Sequence, residues 1–473
     1  MSRLRSRLSP RIVLALFVIV LGGSLIAFAS VTRTELGTPD QQATVRTSRD
    51  VSGLPIQSAC TVVPGKELFV TDVSVVDDCL RTTWGPCISS GGTVPAPATQ
   101  GAWTFGARMQ SLAGTTDPAT LSTFTLNWLH HWQVDQTINS DLVPARTRIK
   151  SLLIDPWLAA SGGTTLDMKK APFRLLAIVA RLDLRQNAGY SGGTTAGEAR
   201  FVYNLLDLNN NNAPTQFNVI FEYGLDAADC AAVQNWADLW HGLGSHTFGP
   251  DYNAALQAVT DRFATIGASP GKPNGSALNQ LRTNEIALIS PWELREFKLP
   301  VNVLTTGAPV QLAEATVAQT PARSLQNTTA ISTYANANAA AILQNSNVVP
   351  LIWSGSPFRG GAAPNNLDLK WDGPLPSCTS ITDPKVREAF SLNTCSGCHG
   401  TSETKTTFKQ VEPRAAGFPS ALSTFLTGTG PFTDMCGVQV NFNDIDRRRV
   451  DLCQLLNKTC TEINSEPVIT FVH

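Results

Sequence analysis

The spacing of apolar residues predicts several amphipathic helices. In residues 121–132, apolar side chains recur at intervals of three, four and seven, along one face of a helix. Residues 229–243 and 251–267 show the same helical spacing, and each stretch ends at a glycine-containing stop. Residues 332–343 predict a further helix.

Between these helices, short runs rich in β-branched and aromatic residues predict strands. Residues 173–185, 199–208 and 215–225 are such runs, separated by glycine and asparagine clusters that favour turns. Residues 284–299 and 309–320 predict further strands. Strands and helices occur in groups and do not alternate strictly, so we expect an α+β fold with an antiparallel sheet.

The length of the chain predicts more than one domain. With 473 residues it exceeds the usual size of a single hydrophobic core. We expect a loop-rich, cysteine-bearing segment at 30–102, an α+β domain of unknown role at 103–377, and a small domain at 378–473. The last boundary lies in a stretch rich in proline and serine, residues 372–384, which is typical of a linker.

The N-terminus predicts export. Arginines at the start of the chain precede an apolar run, residues 12–29, which ends in the small-x-small pattern Ala27-Phe28-Ala29. We interpret residues 1–29 as a cleaved signal peptide, and expect the protein in the periplasm or at the cell surface. An uncleaved membrane anchor is the alternative, because the run is just long enough to span a bilayer.

Composition narrows the class of partner. The chain is 15% charged with a net charge of −1, and no basic run lies beyond the N-terminus. A nucleic-acid surface needs an excess of lysine and arginine, so we expect no nucleic-acid partner. The chain has ten cysteines. Apart from Cys395 and Cys398, they predict up to four disulfides in an oxidising compartment.

Residues 393–402, NTCSGCHGTS, contain the most specific motif. Cys395, Cys398 and His399 match the pattern of covalent haem c attachment, in which two thiols bond the haem and the histidine is the proximal iron ligand. A thioredoxin-like redox pair, a zinc site and a plain disulfide between the two cysteines are alternatives. The zinc site would need two more ligands at suitable spacing, and the sequence has no second Cys-x-x-Cys pair.

The residues around the motif predict helices on both sides. Asp383 and Pro384 favour a helix start, and Val386, Ala389 and Phe390 then form an apolar stripe that leads to the motif. Residues 442–457 predict a second amphipathic helix.

In this order of elements, residues 378–460 resemble a small class I cytochrome c. The resemblance implies an all-α domain in which the closing helix packs across the first, one covalent haem c, electron transfer and a redox partner protein. It also implies a distal methionine ligand, for which Met435 is the downstream candidate. The rest of the chain is similar to large exported bacterial proteins with one such motif near the C-terminus, and this similarity implies no activity.

We therefore expect an exported c-type cytochrome, more an electron carrier than a catalyst. One alternative is a haem-dependent oxidoreductase with an open sixth iron position, and another is a non-redox, disulfide-stapled surface or binding protein. No Walker loop, Rossmann fingerprint or nucleophile-elbow motif is present.

Other polar features have simpler interpretations. His131 is expected to be a partly buried, hydrogen-bonded histidine. His241 is expected to be an ordinary polar side chain of a glycine-shaped loop, with metal or haem ligation as the alternative. Residues 207–212 predict a hairpin turn in preference to a calcium loop, because the glycine and glutamate of such a loop are missing. The alternating charges at 181–185 and 293–295 are typical of solvated sheet faces, although such faces can also line a ligand groove.

Overall fold

An antiparallel sheet of eight strands lies at the centre of the structure, which is a computed structural model. It describes residues 60–85, 87–89, 92–93, 100–185, 195–301, 307–365, 370–399, 403 and 405–466; the predicted signal peptide lies outside these ranges. The sheet strands are β1 (Phe69–Val70), β2 (Phe173–Arg181), β3 (Thr195–Asp207), β4 (Ala213–Asp226), β5 (Leu278–Glu285), β6 (Trp292–Lys298), β7 (Ala313–Ala315) and β8 (Ala363–Asn365). The α+β class is confirmed.

The sheet is a meander in which β1 to β7 are neighbours in chain order, and β8 pairs with β6. The strand predicted at 173–185 ends at Arg181 and continues as a 3₁₀ turn, Leu182–Leu184. The strands predicted at 199–208 and 215–225 are longer than expected, and the turn between them confirms the hairpin prediction. In that turn Asn211 and Asn212 have φ of 49° and 57°, a left-handed conformation that asparagine tolerates.

Helices cover the sheet. In chain order they are α1 (Pro64–Glu67), α2 (Val73–Val76), α3 (Cys79–Thr82), α4 (Phe105–Ala113), α5 (Pro118–His130), α6 (Asp155–Ser161), α7 (Cys230–Gly242), α8 (Pro250–Ala264), α9 (Thr329–Ala337), α10 (Ala339–Leu343), α11 (Pro384–Leu392), α12 (Cys395–Cys398), α13 (Thr424–Thr427), α14 (Asp444–Asn457) and α15 (Cys460–Asn464). α5, α7 and α8 confirm the predicted helices. The helix predicted at 332–343 is divided into α9 and α10, because Asn338 leaves the helical conformation.

One face of the sheet carries the main hydrophobic core. Phe201, Tyr203, Phe221 and Tyr223 alternate along β3 and β4 and are buried together with side chains from α4, α5, α7 and α8. The period of two along a strand places their sequence neighbours on the opposite face. That opposite face, which includes Val202 and Ile220, contacts the C-terminal segment.

The C-terminal segment is not all-α, so the predicted cytochrome c-like domain is not confirmed. It includes a two-stranded hairpin, Phe432–Thr433 with Gln439–Val440. Leu452 and Leu455 of α14 lie in the main core and not in the apolar cluster that holds Val386 and Phe390 of α11. The apolar stripe of α14 is thus buried by the large sheet and its helices. The domain limits predicted near residues 102 and 378 stay predictions.

Disulfides join both near and distant parts of the chain. The structure has three: Cys79–Cys87, Cys230–Cys460 and Cys378–Cys436. They confirm that disulfides are present, as the cysteine content predicts. No helix in the described ranges is both long and apolar enough to cross a membrane.

Candidate cofactor site

The cysteine motif lies on one short helix directly after α11. Asp383 caps α11 and Pro384 is its first residue, as predicted. Thr394 caps α12, because its Oγ1 accepts a hydrogen bond from the Gly397 amide at 3.0 Å. The same oxygen accepts from the indole Nε1 of Trp371 at 2.9 Å. These contacts fix the start of the motif by local capping and by one distant aromatic residue.

Position 397 requires glycine, because the backbone of Ser391 lies very close to it. A Cβ at this position would lie 2.2 Å from the carbonyl oxygen of Ser391 and 2.8 Å from Thr394 Oγ1. We predict that Gly397→Ala lowers the free energy of unfolding by about 1–3 kcal/mol, the usual cost of overpacking. Urea unfolding of the purified protein measures this change.

The matched control for this variant is Gly242→Ala, at the end of α7, where a Cβ would meet nothing within 4 Å. There alanine is expected to leave stability unchanged or to raise it by up to about 1 kcal/mol, because alanine favours helix. Equal effects of the two substitutions would contradict the steric explanation.

His399 follows α12 and is held in one orientation. Its Nδ1 lies 2.6 Å from the carbonyl oxygen of Phe408, which can only accept, so Nδ1 carries the proton and Nε2 keeps its lone pair. The ring stacks on Trp292 with centroids 4.9 Å apart. Burial lowers the pKa of His399 to about 4, so the imidazole is neutral near pH 7. A neutral, oriented imidazole with a free Nε2 lone pair is the state that a metal ligand requires.

A cavity lies between the motif and the opposite face of the sheet. It contains about 740 Å³ of space without protein atoms, including the part open to solvent, and the centre of a water-sized sphere can reach about 90 Å³ of it. Cys395 and His399 belong to its wall. Its apolar lining comes from Val179, Val202, Ile220, Val411, Phe425 and Leu426. Two residues of the predicted haem motif therefore face this largely apolar space.

Cys398 lies beside this cavity. It is buried in the apolar cluster that includes Val411 and Phe425, and Gln410, a lining residue, approaches its Sγ to 3.8 Å. The sulfurs of Cys395 and Cys398 are not joined in a disulfide. Burial raises the pKa of Cys395, whereas reactive redox cysteines have a lowered pKa. The buried thiols therefore do not favour the thioredoxin-like alternative.

Met435 is not brought to the cavity. Its side chain is 55% exposed, and its Sδ lies 3.6 Å from Nη2 of Arg387. It directly precedes Cys436, whose disulfide to Cys378 holds this turn. Thus the structure brings Cys395, Cys398 and His399 together and leaves Met435 apart.

Apart from Arg181, whose strand was named as a possible groove face, the charged residues of the cavity wall were not identified from the sequence. Four arginines and one glutamate line the cavity: Arg181, Arg200, Glu222, Arg282 and Arg448. These residues could have been found from the strand pairing, because opposite charges face each other across neighbouring strands, as Arg200 and Glu222 do. Such pairing can be read only when the register is known.

The prediction of solvated faces at 181–185 and 293–295 is wrong. Arg181 and Arg295 are fully buried, each within hydrogen-bond distance of a carboxylate two residues away on the chain. Asp183 and Glu293 are these carboxylates, and both are buried. Because both faces of the sheet are covered, charges that alternate along a strand are paired inside the protein.

The remaining candidate ligands have structural partners. His131 Nε2 lies 3.3 Å from the Leu312 carbonyl oxygen, as expected of a hydrogen-bonded histidine. His241 lies in α7 and not in a loop, and its Nδ1 lies 2.7 Å from Glu67 Oε2. Within the described ranges, the one cluster with metal-ligand spacing is Asp372, Cys378 and Cys436. Its two cysteines form a disulfide and are therefore not metal ligands.

The arrangement combines a buried Cys-x-x-Cys-His turn, an oriented imidazole and a cavity with apolar and cationic walls. Comparison of the chain with protein-family models, with curated proteins and with solved structures found no match.

Proposed function

We propose that this chain is an exported c-type cytochrome that binds one haem c and passes electrons to a partner protein. Cys395 and Cys398 would bond the haem, and His399 would be the proximal ligand of the iron. The observation that carries this proposal is the cavity with Cys395 and the oriented imidazole of His399 in its wall. When bound, haem supplies a one-electron couple between ferric and ferrous iron.

The residues present fit this group. Thr394 and Gly397 shape the turn that presents both thiols, and the Phe408 carbonyl holds His399 with Nε2 available. The apolar lining excludes water, which lowers the local dielectric and helps to set the reduction potential. In this proposal the large sheet, and not a closed all-α domain, provides the opposite wall of the haem site.

Export is supported by two independent features. The sequence predicts a signal peptide at residues 1–29, and the three disulfides suit an oxidising compartment, where haem c is also attached. The redox partner would be another protein of that compartment. Membrane association would follow only from an uncleaved N-terminal segment.

The test is to express the chain together with haem c maturation machinery. We expect the dithionite-reduced protein to show haem absorption bands, and the tryptic peptide that contains Cys395 and Cys398 to carry the mass of one haem. A colourless protein whose peptide has only free thiols or a disulfide would contradict the proposal. That result would favour the disulfide-stapled surface protein.

A second candidate, a haem-dependent oxidoreductase, is favoured by the position of Met435. The described lining of the cavity contains no methionine and no histidine besides His399. An iron without a strong sixth ligand binds small molecules. Added carbon monoxide would then shift the bands of the reduced protein, whereas an iron with both axial positions filled would leave them in place.

Met435→Leu separates the two candidates further. Because the Met435 side chain is half-exposed and next to Arg387, we expect this variant to keep the visible spectrum and reduction potential of the wild type. A changed spectrum and a lowered potential would instead make Met435 the distal ligand, as the cytochrome resemblance implies.

A further inference from the structure

A buried cluster of charged residues reaches the cavity wall through Arg181 and Arg448. Arg181 ends β2, Asp183 lies in the following 3₁₀ turn, and Asp444, Arg447 and Arg448 begin α14. Arg181 Nε donates to Asp183 Oδ1 at 2.9 Å, and Arg447 Nη2 donates to Asp183 Oδ2 at 2.7 Å. Arg447 also binds Asp444, so the five side chains form one network.

Positive charges outnumber negative ones in this cluster. Its described members are three guanidinium groups and two carboxylates, and the other four are the charged groups that act most strongly on Arg448. Arg448 itself is 4% exposed. Burial and the neighbouring Arg181 lower the pKa of Arg448 to about 10, which still leaves it charged near pH 7. A buried cation is stable only if anionic partners and hydrogen bonds compensate it.

Two hydrogen-bond donors of Arg448 have no partner among the described residues. Its Nη2 lies 2.5 Å from Asp444 Oδ2, but Nε and Nη1 have no hydrogen-bond partner in the described part of the chain. Both nitrogens are buried, although Arg448 lines the cavity. Its guanidinium carbon lies 5.9 Å from the ring centre of Phe69, another lining residue. Unsatisfied buried donors of a charged group are rare in folded proteins and call for a ligand.

Two other arginines of the cavity wall, Arg200 and Arg282, have more carboxylate partners. Arg200 contacts Glu198 and Glu222, and Arg282 contacts Glu222 and Glu296, so each guanidinium has two carboxylate neighbours. The cavity wall is thus close to charge balance around Arg200 and Arg282. In contrast, Nε and Nη1 of Arg448 have no hydrogen-bond partner among the described residues.

We propose that Arg448 binds a carboxylate group inside the cavity, and that this group is a propionate of the haem. The identification of the carboxylate rests on the proposed function. Haem c keeps two ionised propionates after attachment, and guanidinium groups bind carboxylates through short, charge-assisted hydrogen bonds. Arg448 would thereby fix the orientation of the haem and supply positive charge close to the iron.

The experiment compares Arg448→Gln with the wild type as mature holoproteins. We expect Arg448→Gln to retain covalent haem, because the cysteine motif is unchanged. Loss of a positive charge favours ferric iron, so we expect an equilibrium shift of about tenfold, which lowers the reduction potential by about 59 mV for a one-electron couple. Redox titration followed by visible absorption measures this shift.

The matched control is Arg449→Gln, one residue further along α14. Arg449 pairs with Asp446, its side chain is 32% exposed, and it is not among the lining residues. We expect the potential of this variant to equal that of the wild type. An unchanged potential in Arg448→Gln, or an equal fall in both variants, would overturn the role of Arg448.

Added acetate at constant ionic strength separates two sources of the carboxylate. If the propionate occupies the site, the wild-type potential is independent of acetate. A potential that follows acetate in the wild type but not in Arg448→Gln would assign the site to a free carboxylate and overturn the propionate identification. Wild-type protein without covalent haem would instead refute the proposed function itself.

If Arg448→Gln does not fold, a crystal structure of the wild-type holoprotein decides the question. A propionate oxygen within hydrogen-bond distance of Arg448 Nε or Nη1 supports the proposal. Both propionates elsewhere would overturn it.

Discussion

The double variant Cys395→Ala/Cys398→Ala is expected to lose covalently attached haem completely. In the proposed function both thioether bonds of haem c would be made by these two sulfurs, and α12 presents both residues from one helical turn next to the cavity. Haem held only by His399 would separate from the protein under denaturing conditions. Denaturing gel electrophoresis with haem staining, together with the intact mass, measures the loss.

The matched control is Cys60→Ala/Cys453→Ala. These two cysteines also lie outside the three disulfides, and they are near each other, with Cys453 Sγ 3.7 Å from the Cys60 carbonyl oxygen. They are far along the chain from the motif, so we expect this variant to keep full haem content. Covalent haem that persists in the Cys395/Cys398 variant would show that the attachment site lies elsewhere.

The variant Arg387→Met is expected to lower the free energy of unfolding by about 3–5 kcal/mol. Arg387 projects from α11 into a buried network, where its Nε donates to Asp372 Oδ2 at 2.8 Å and its Nη2 to Glu403 Oε2 at 3.1 Å. The side chains of all three residues are at most 4% exposed. Without Arg387, two buried carboxylates lose their main counter-charge.

The remaining cation of this network cannot replace Arg387. Lys370 is fully buried and already contacts Glu388 and Asp434. Because α11 leads directly into the haem motif, we expect haem incorporation to fall together with stability. Urea unfolding and the ratio of haem to protein measure the two effects.

Lys385→Met provides the control for Arg387→Met, since Lys385 lies on the same helix and is exposed. It is expected to change stability by no more than about 0.5 kcal/mol, as surface substitutions usually do. If both variants unfold at the same urea concentration, the buried network does not stabilise α11.

Local patterns were sufficient for the elements that depend on near neighbours. The helices α5, α7 and α8 follow from apolar spacing, and the start of α11 follows from Asp383 and Pro384. The compact form of the Cys395–Cys398 turn is also local, because Thr394 caps it. Strand β5 was largely missed, since its sequence, LNQLRTNE, has few of the residues that favour strands.

The sequence by itself was sufficient to find the Cys-x-x-Cys-His motif, the α+β class and the presence of disulfides. Only the tertiary structure decided what faces the motif, because the cavity wall joins strands β2 to β6 with residues more than 100 positions away. A strand with alternating charges has the same pattern whether its polar face meets water or a covered cavity. Whether a strand face is covered depends on contacts between distant segments. For this reason Arg181 and Arg448 line the cavity, whereas Met435 lies outside it.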